Sequence, residues 1–220
     1  LYINRPTDEN VGLFGYTNGS TIQNIGVTNV DITGKTVVGG VVGYNTLYSA
    51  ISNSYSTGIL NSNATRSKIG GLVGSNSYSN ISNSYSAVIL NSNGSRSKIG
   101  GLIGDIDNSD ISNSYSAGTI NSSGDTSTVG GLMGFGDSSK VTKNLFWDIE
   151  RSGQLSPIGN DTSISTERKV IVGKTTAQMQ LASTYNDAED STWNITEDST
   201  LSSDYLYPIL VNIDGVVSWK

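Results

Sequence analysis

Apolar residues in this chain come in short runs at a fixed spacing, separated by glycine, asparagine and serine. One run is built on Gly-x-x-Gly: Gly12-Leu13-Phe14-Gly15, Gly39-Gly40-Val41-Val42-Gly43, Gly70-Gly71-Leu72-Val73-Gly74, Gly100-Gly101-Leu102-Ile103-Gly104 and Gly130-Gly131-Leu132-Met133-Gly134. A second follows about ten residues later as Ile22–Val27, then Ile51-Ser52-Asn53-Ser54-Tyr55-Ser56, with identical letters at Ile81–Ser86 and Ile111–Ser116. A third is Val30/Ile32, Ile59/Leu60, Ile89/Leu90 and Thr119/Ile120, after which Asn-Ser-Asn or Asn-Ser-Ser leads back to Ile69, Ile99 or Val129. A fixed period near 30 residues is read before any other signal, because it implies a stacked architecture. No stretch of the repeats holds a 3.6-residue apolar period, and Gly and Asn are poor helix formers. Short strands joined by turn residues fit instead. The pattern predicts an all-β fold: a parallel, right-handed, three-sided β-helix of about five coils, each touching only its neighbours. At the usual strand spacing five coils rise roughly 24 Å.

The sequence also supplies what such a stack needs. Asn24, Asn53, Asn83 and Asn113 fall one above another, and stacked amides can form a hydrogen-bonded ladder. Gly71, Gly74, Gly101, Gly104, Gly131 and Gly134 are read as structural, allowing a tight corner or a backbone approach that a Cβ would block. Leu72, Leu102 and Leu132 are expected to stack inside. Residues 51–74 and 81–104 agree at 19 of 24 positions, as coil-on-coil templating favours; recent duplication gives the same similarity.

Composition narrows the function. Only 15% of residues are charged, with 26 glycines and 3 prolines, yet the regular supply of Ile, Leu, Val and Tyr argues against disorder. A net charge of −6 disfavours a nucleic-acid partner. No apolar run reaches the roughly 18–20 residues of a membrane span, so direct membrane insertion is not expected. With neither cysteine nor histidine, a disulfide framework, a thiolate metal site and the usual general base are excluded. No cofactor is implied. The start at Leu1 suggests part of a longer chain.

The Gly-Leu-Val-Gly, Gly-Leu-Ile-Gly and Gly-Leu-Met-Gly units, with Ile-Ser-Asn-Ser-Tyr-Ser between them, resemble the GLUG repeat of bacterial surface adhesins and of the non-catalytic regions of immunoglobulin-A1 proteases. The resemblance runs on through Phe146-Trp147-Asp148, Ser152-Gly153-Gln154, Gly173–Met179, Trp193-Asn194-Ile195 and Tyr207-Pro208-Ile209-Leu210. The first two repeats depart from the Gly-Leu-x-Gly pattern or its spacing. The resemblance implies a secreted or surface-attached bacterial module, with a host glycan or host surface protein as partner.

Residues 1–144 are read as the repeats and 145–220 as a C-terminal capping segment, since an open β-helix end exposes unpaired strands and core. Within it Leu145, Phe146 and Trp147 begin the cover. Thr175–Leu181 forms a short helix with Thr175 or Thr176 at its N-cap. Tyr205–Val211 and Val216–Trp219 form strands about an Asp214-Gly215 turn. A separate catalytic domain is the competing reading of the tail.

The candidate ligand-binding residues are Tyr55, Tyr85 and Tyr115. Gly26 shares their position, and Ile25 and Leu145 share that of Ser54. Strict alternation from Ile51 would put Tyr55 on the buried side, whereas a bend at Asn53 would turn it outward. The shared letters favour the second, with the Ser54 position inward and the tyrosines outward. An exposed aromatic ladder among Ser and Asn would stack on sugar rings, or would only stabilise the solenoid. Asp105, Asp107 and Asp110, with Asn108, are a weak calcium candidate, but the spacing lacks the glycine and terminal Glu of an EF-hand loop, so a solvated loop is the preferred reading and no metal is assigned. Arg66/Lys68 and Arg96/Lys98 recur with the repeat and are read as solvated corners. A glycosidase would need two carboxylates facing across a groove, and Asp148 and Glu150 lie in the tail. No catalytic residue is assigned. The leading expectation is a non-enzymatic adhesin or stalk, followed by a substrate-presenting module of a secreted metalloprotease and, last, a polysaccharide-processing enzyme.

Overall fold

The structure, a computed structural model, describes residues 1–141, 143–163, 165–166, 171–185, 207–208, 210–213 and 216–219. It is an all-β solenoid of about six turns, in which every pairing between coils is parallel. One turn shows the construction. Lys68–Gly70 lies in sheet I, Val73–Ser77 in sheet II, Asn80–Ser82 in sheet III and Tyr85–Ser92 in sheet IV. Each strand pairs with its counterpart one repeat away, as in Lys68↔Lys98, Val73↔Ile103, Ile81↔Ile111 and Tyr85↔Tyr115.

The circuit therefore has four sheets, not three sides. The Gly-Gly-x-x-Gly stretch is two strands with a bend at Gly71-Leu72. Nor does the stack stop at residue 144. Leu145–Asp148 and Ile171–Lys174 add to sheet IV, Ile158–Asp161 to sheet II, and Ser165–Thr166 to sheet III. The expected boundary at 144/145 falls inside the solenoid, and Leu145, Phe146 and Trp147 are a buried strand of it. Beyond it come a short helix at Thr176–Met179, capped by Thr175 with a reciprocal Gln178 contact, and a hairpin of Leu210–Ile213 with Val216–Trp219. Trp193-Asn194-Ile195, Ile209 and the Asp214-Gly215 turn lie outside the described residues.

Inward positions stack like on like. Ile69 and Ile99, Leu72, Leu102 and Leu132, Val73 and Ile103, and Leu60 and Leu90 are all fully buried. At the bend the interior is thin. Ser56 Oγ donates to the Gly71 carbonyl at 2.6 Å and Ser86 Oγ to the Gly101 carbonyl at 2.5 Å. A Cβ on Gly71 would lie 2.3 Å from the Gly101 oxygen and 2.7 Å from Ser86 Cβ. These glycines have no left-handed φ, so close approach is their reason, as it is for Gly74, Gly104 and Gly134, where a Cβ would meet sheet I backbone.

Corners need backbone donors satisfied where ladders break, because a buried unpaired N–H costs about 1–3 kcal/mol. Two serine columns do this. Ser49, Ser79, Ser109 and Ser139 accept the N–H groups of Ser20, Ser49, Ser79 and Ser109 at 3.1–3.2 Å. Ser54, Ser84 and Ser114 accept those of Ile25, Ser54 and Ser84. Each hydroxyl of the second column also donates to a carbonyl two residues earlier, as Ser54 does to Ser52 at 2.8 Å.

The expected asparagine ladder is displaced. Asn24, Asn53, Asn83 and Asn113 have φ of 60°, 49°, 48° and 44°. Asparagine is there because it enters the left-handed region cheaply, and the Oδ1 atoms of Asn83 and Asn113 make no hydrogen bond among the described residues. Amide ladders form elsewhere. Thr17 donates to Asn45, Asn45 to Asn76, and Asn76 to the Ser79 carbonyl, each at 2.7 Å, all inside. On the outside Asn121 donates to Asn91 and Asn91 to Asn61, both at 2.9 Å.

Candidate functional site

Sheet IV carries the tyrosine column on its outer side, in register as Gly26, Tyr55, Tyr85, Tyr115, Phe146 and Val172. Ser54, Ser84 and Ser114 beside it point inward and are fully buried, as expected. The rings stack at 4.8 and 4.9 Å with interplanar angles of 1° and 3°, and Tyr55 lies over Gly26, where a Cβ would come within 2.4 Å of the ring.

Outward is not exposed, however. Tyr85 is 4% and Tyr115 0% accessible, with Tyr55 intermediate. The tail covers them: Met179, Ala182, Tyr185 and Tyr207 join Tyr85, Tyr115 and Phe146 in a second apolar cluster. The open aromatic ladder expected of Tyr55, Tyr85 and Tyr115 is thus corrected, because the chain folds its own aromatic residues onto that face. Tyr115 Oη donates to the Pro208 carbonyl and Tyr185 Oη to the Met179 carbonyl at 2.8 Å. Burial, reinforced by the neighbouring phenols, pushes Tyr115 well above the ordinary tyrosine range. Burial does the same to Tyr185, helped by Tyr207 and the Asp148 carboxylate.

Asp148 anchors this cover. Its buried carboxylate accepts the Glu150 and Arg151 N–H groups at 3.0 and 2.9 Å, Thr176 Oγ1 at 2.8 Å and Tyr207 Oη at 2.7 Å. Tyr207 is pushed up to about 12 by burial first, then by that hydrogen bond and the Asp148 charge, against the opposing pull of Arg151. Asp148 is an N-cap through Glu150 and Arg151 and a tether through Thr176 and Tyr207, which hold the tail on the solenoid.

The three aspartates proposed for calcium separate. Asp105 and Asp107 share a strand of sheet II, and Asp110 begins a strand of sheet III. Asp105 is nearly buried between Lys68 Nζ at 2.6 Å and Lys98 Nζ at 2.9 Å. The Lys98 ammonium also lies 3.6 Å from the centroid of Phe135. Both Asp105 oxygens are taken up by lysines, which argues against calcium there and gives Lys68 and Lys98, expected as solvated corners and still partly exposed, an ion-pair role. Asp107 accepts from Asn108 Nδ2 at 2.7 Å. Among the described residues no three Asp, Glu, His or Cys side chains gather as metal ligands.

Surface aromatics that the repeat pattern does not single out stand at the corner between sheets II and III. Tyr48 is 86% and Tyr78 50% exposed, and Leu47 beside them 46%. A change in repeat spacing marks them: Thr46 and Ala50 bracket three residues where Ser77 and Asn80 bracket two.

Residues 34–65, one turn of the solenoid, match the family described as the GLUG motif. No curated protein and no solved structure matches the chain.

Proposed function

We propose that this GLUG-bearing β-solenoid is a non-catalytic module of a secreted or surface-attached bacterial protein, acting in adhesion to host glycans or host surface proteins. The reading rests on one observation: among the described residues, the buried carboxylates and the serine columns are committed to holding coils and tail together. Asp105 pairs with two lysines, Asp148 caps a helix and ties down Tyr207, and the buried serine hydroxyls accept corner N–H groups. A glycosidase instead keeps two carboxylates free across a groove. Much of the described surface is a stiff, repeating display of Asn, Ser, Thr and aromatic side chains at coil spacing, with acidic residues such as Asp107 and Asp110 among them, the kind of extended surface solenoids use for recognition. The test is binding of the purified chain to epithelial cells, extracellular-matrix proteins and a glycan array, together with antibody labelling of intact bacteria. Saturable binding and surface labelling are expected. Absence of both removes the adhesive reading.

A further inference from the structure

The corner between sheets II and III holds side chains that the fold does not require. The register Asn18↔Thr46↔Ser77↔Asp107↔Asp137 places Gly19, Leu47, Tyr78, Asn108 and Ser138 next in line. All five have φ between 45° and 58°. Glycine and asparagine enter that region at little cost, while leucine and tyrosine are strained in it. The second coil then adds one residue, Tyr48, itself left-handed at φ 65°. Its N–H still bonds the Tyr78 carbonyl at 2.7 Å, and the serine column resumes at once with Ser49. The insertion is absorbed without disturbing the stack, and its effect is to push Leu47 and Tyr48 into solvent beside Tyr78. Strain and exposure of large side chains at a position where a neighbouring coil uses asparagine point to a role outside the fold.

We propose that Leu47, Tyr48 and Tyr78 form a stacking site for a neutral, hexose-type glycan. The inference rests on the adhesive reading above and gives it a place and a ligand class. Size favours a sugar over a protein. Three side chains on a ridge fall far short of the roughly 800 Å² per partner that a stable protein complex buries, whereas a tyrosine face matches the apolar face of a sugar ring. Chemistry agrees: Asn80, on the coil of Tyr78, and Asn108, on the next coil, are both exposed. Asn80 Oδ1 accepts the Asp110 N–H at 3.2 Å and Asn108 Nδ2 donates to Asp107 at 2.7 Å, which leaves the Asn80 amide N–H groups and the Asn108 side-chain carbonyl for sugar hydroxyls. Charge selects a neutral sugar: Asp107 and Asp110 stand on the coil next to Tyr78, while Asp137 and Lys140 of the following coil offset each other, so sialylated or uronic chains meet like charge.

The test is saturation-transfer NMR and titration of the full chain with neutral glucose-, galactose- and mannose-based oligosaccharides and with sialylated counterparts. Neutral sugars are expected to bind through ring protons of Tyr48 and Tyr78, and Tyr48→Ala with Tyr78→Asn to weaken them by about tenfold or more. The same double variant should unfold at an unchanged or higher temperature, since asparagine suits the left-handed corner. Equal binding by the double variant, preference for sialylated chains, or binding only to host proteins overturns the site while leaving adhesion standing. Absence of binding to any glycan, matrix protein or cell overturns both.

Discussion

Alanine at Gly71 tests whether the glycine bend is set by contact between coils. The added Cβ would sit 2.3 Å from the Gly101 oxygen and 2.7 Å from both Cβ and Oγ of Ser86. Reaching tolerable distances requires the Gly101 carbonyl to recede by more than half an ångström. It has nowhere to go, because a Cβ on Gly101 would itself lie 2.3 Å from the Gly131 oxygen: the next coil is packed equally tightly. Overpacking of a rigid interior costs about 1–3 kcal/mol. The upper end applies, since the obstacle is backbone. Moving the Gly101 carbonyl also strains its 2.5 Å bond from Ser86, worth about 1 kcal/mol. A loss of about 3 kcal/mol corresponds to a fall in melting temperature of about 6–12 °C for a chain of this size. Circular dichroism during heating and denaturant titration reads it, the midpoint moving while the slope stays constant. Gly153→Ala is the comparison, because Gly153 has φ 66° and a Cβ there would meet nothing within 4 Å, so only the left-handed penalty of about 1–2 kcal/mol remains. A loss below about 1 kcal/mol at Gly71 would refute the close-approach argument.

At Asn83, glycine should be nearly neutral and alanine should cost about 1 kcal/mol in denaturant titration, since the backbone angle and not an amide ladder selects the residue. Asp105→Ala leaves Lys68 and Lys98 facing each other and should lower stability by about 1 kcal/mol, less at about 1 M salt where screening is short-ranged; a loss independent of salt would contradict this. Alkaline pH should release the tail. Tyr207 has a folded pKa of about 12 against about 10 unfolded. Its protonated form is the one the fold holds, so its contribution is complete below about pH 10 and lost as pH rises towards 12. Ultraviolet titration of tyrosinate should show Tyr115, Tyr185 and Tyr207 ionising only as the cover over the column opens, and Tyr207→Phe should weaken that cover at neutral pH.

How far this molecule can be read from its letters depends on whether the governing interaction is periodic. In-register parallel pairing puts residue i against residue i+30, so the columns of Leu72, Leu102 and Leu132 follow from spacing. The inward turn of Ser54 with Tyr55 outward follows from the letters that share those positions, Ile25 and Leu145 with Ser54 and Gly26 with Tyr55. Three features are hidden for definite reasons. The bend at Gly71-Leu72 splits what reads as one apolar run, because two short strands joined without a polar turn look like a single strand. An asparagine column has the same letters whether it serves an amide ladder or a left-handed corner, and Asn45–Asn76 and Asn61–Asn91–Asn121 do the first while Asn53, Asn83 and Asn113 do the second. The cover on Tyr115 comes from Pro208 and Tyr207, distant in sequence and outside any period. The extra residue at Leu47-Tyr48 is different in kind. It shows in the letters as a 31-residue step from Gly40 to Gly71, ahead of steps of 30 to Gly101 and Gly131, yet a reading that seeks the period discards it as noise. In a solenoid the regular positions are answerable to the neighbouring coil, and a residue that breaks step without breaking the stack is free of that obligation. Function not owed to the fold therefore belongs first at such departures, and Tyr48 is where this chain makes one.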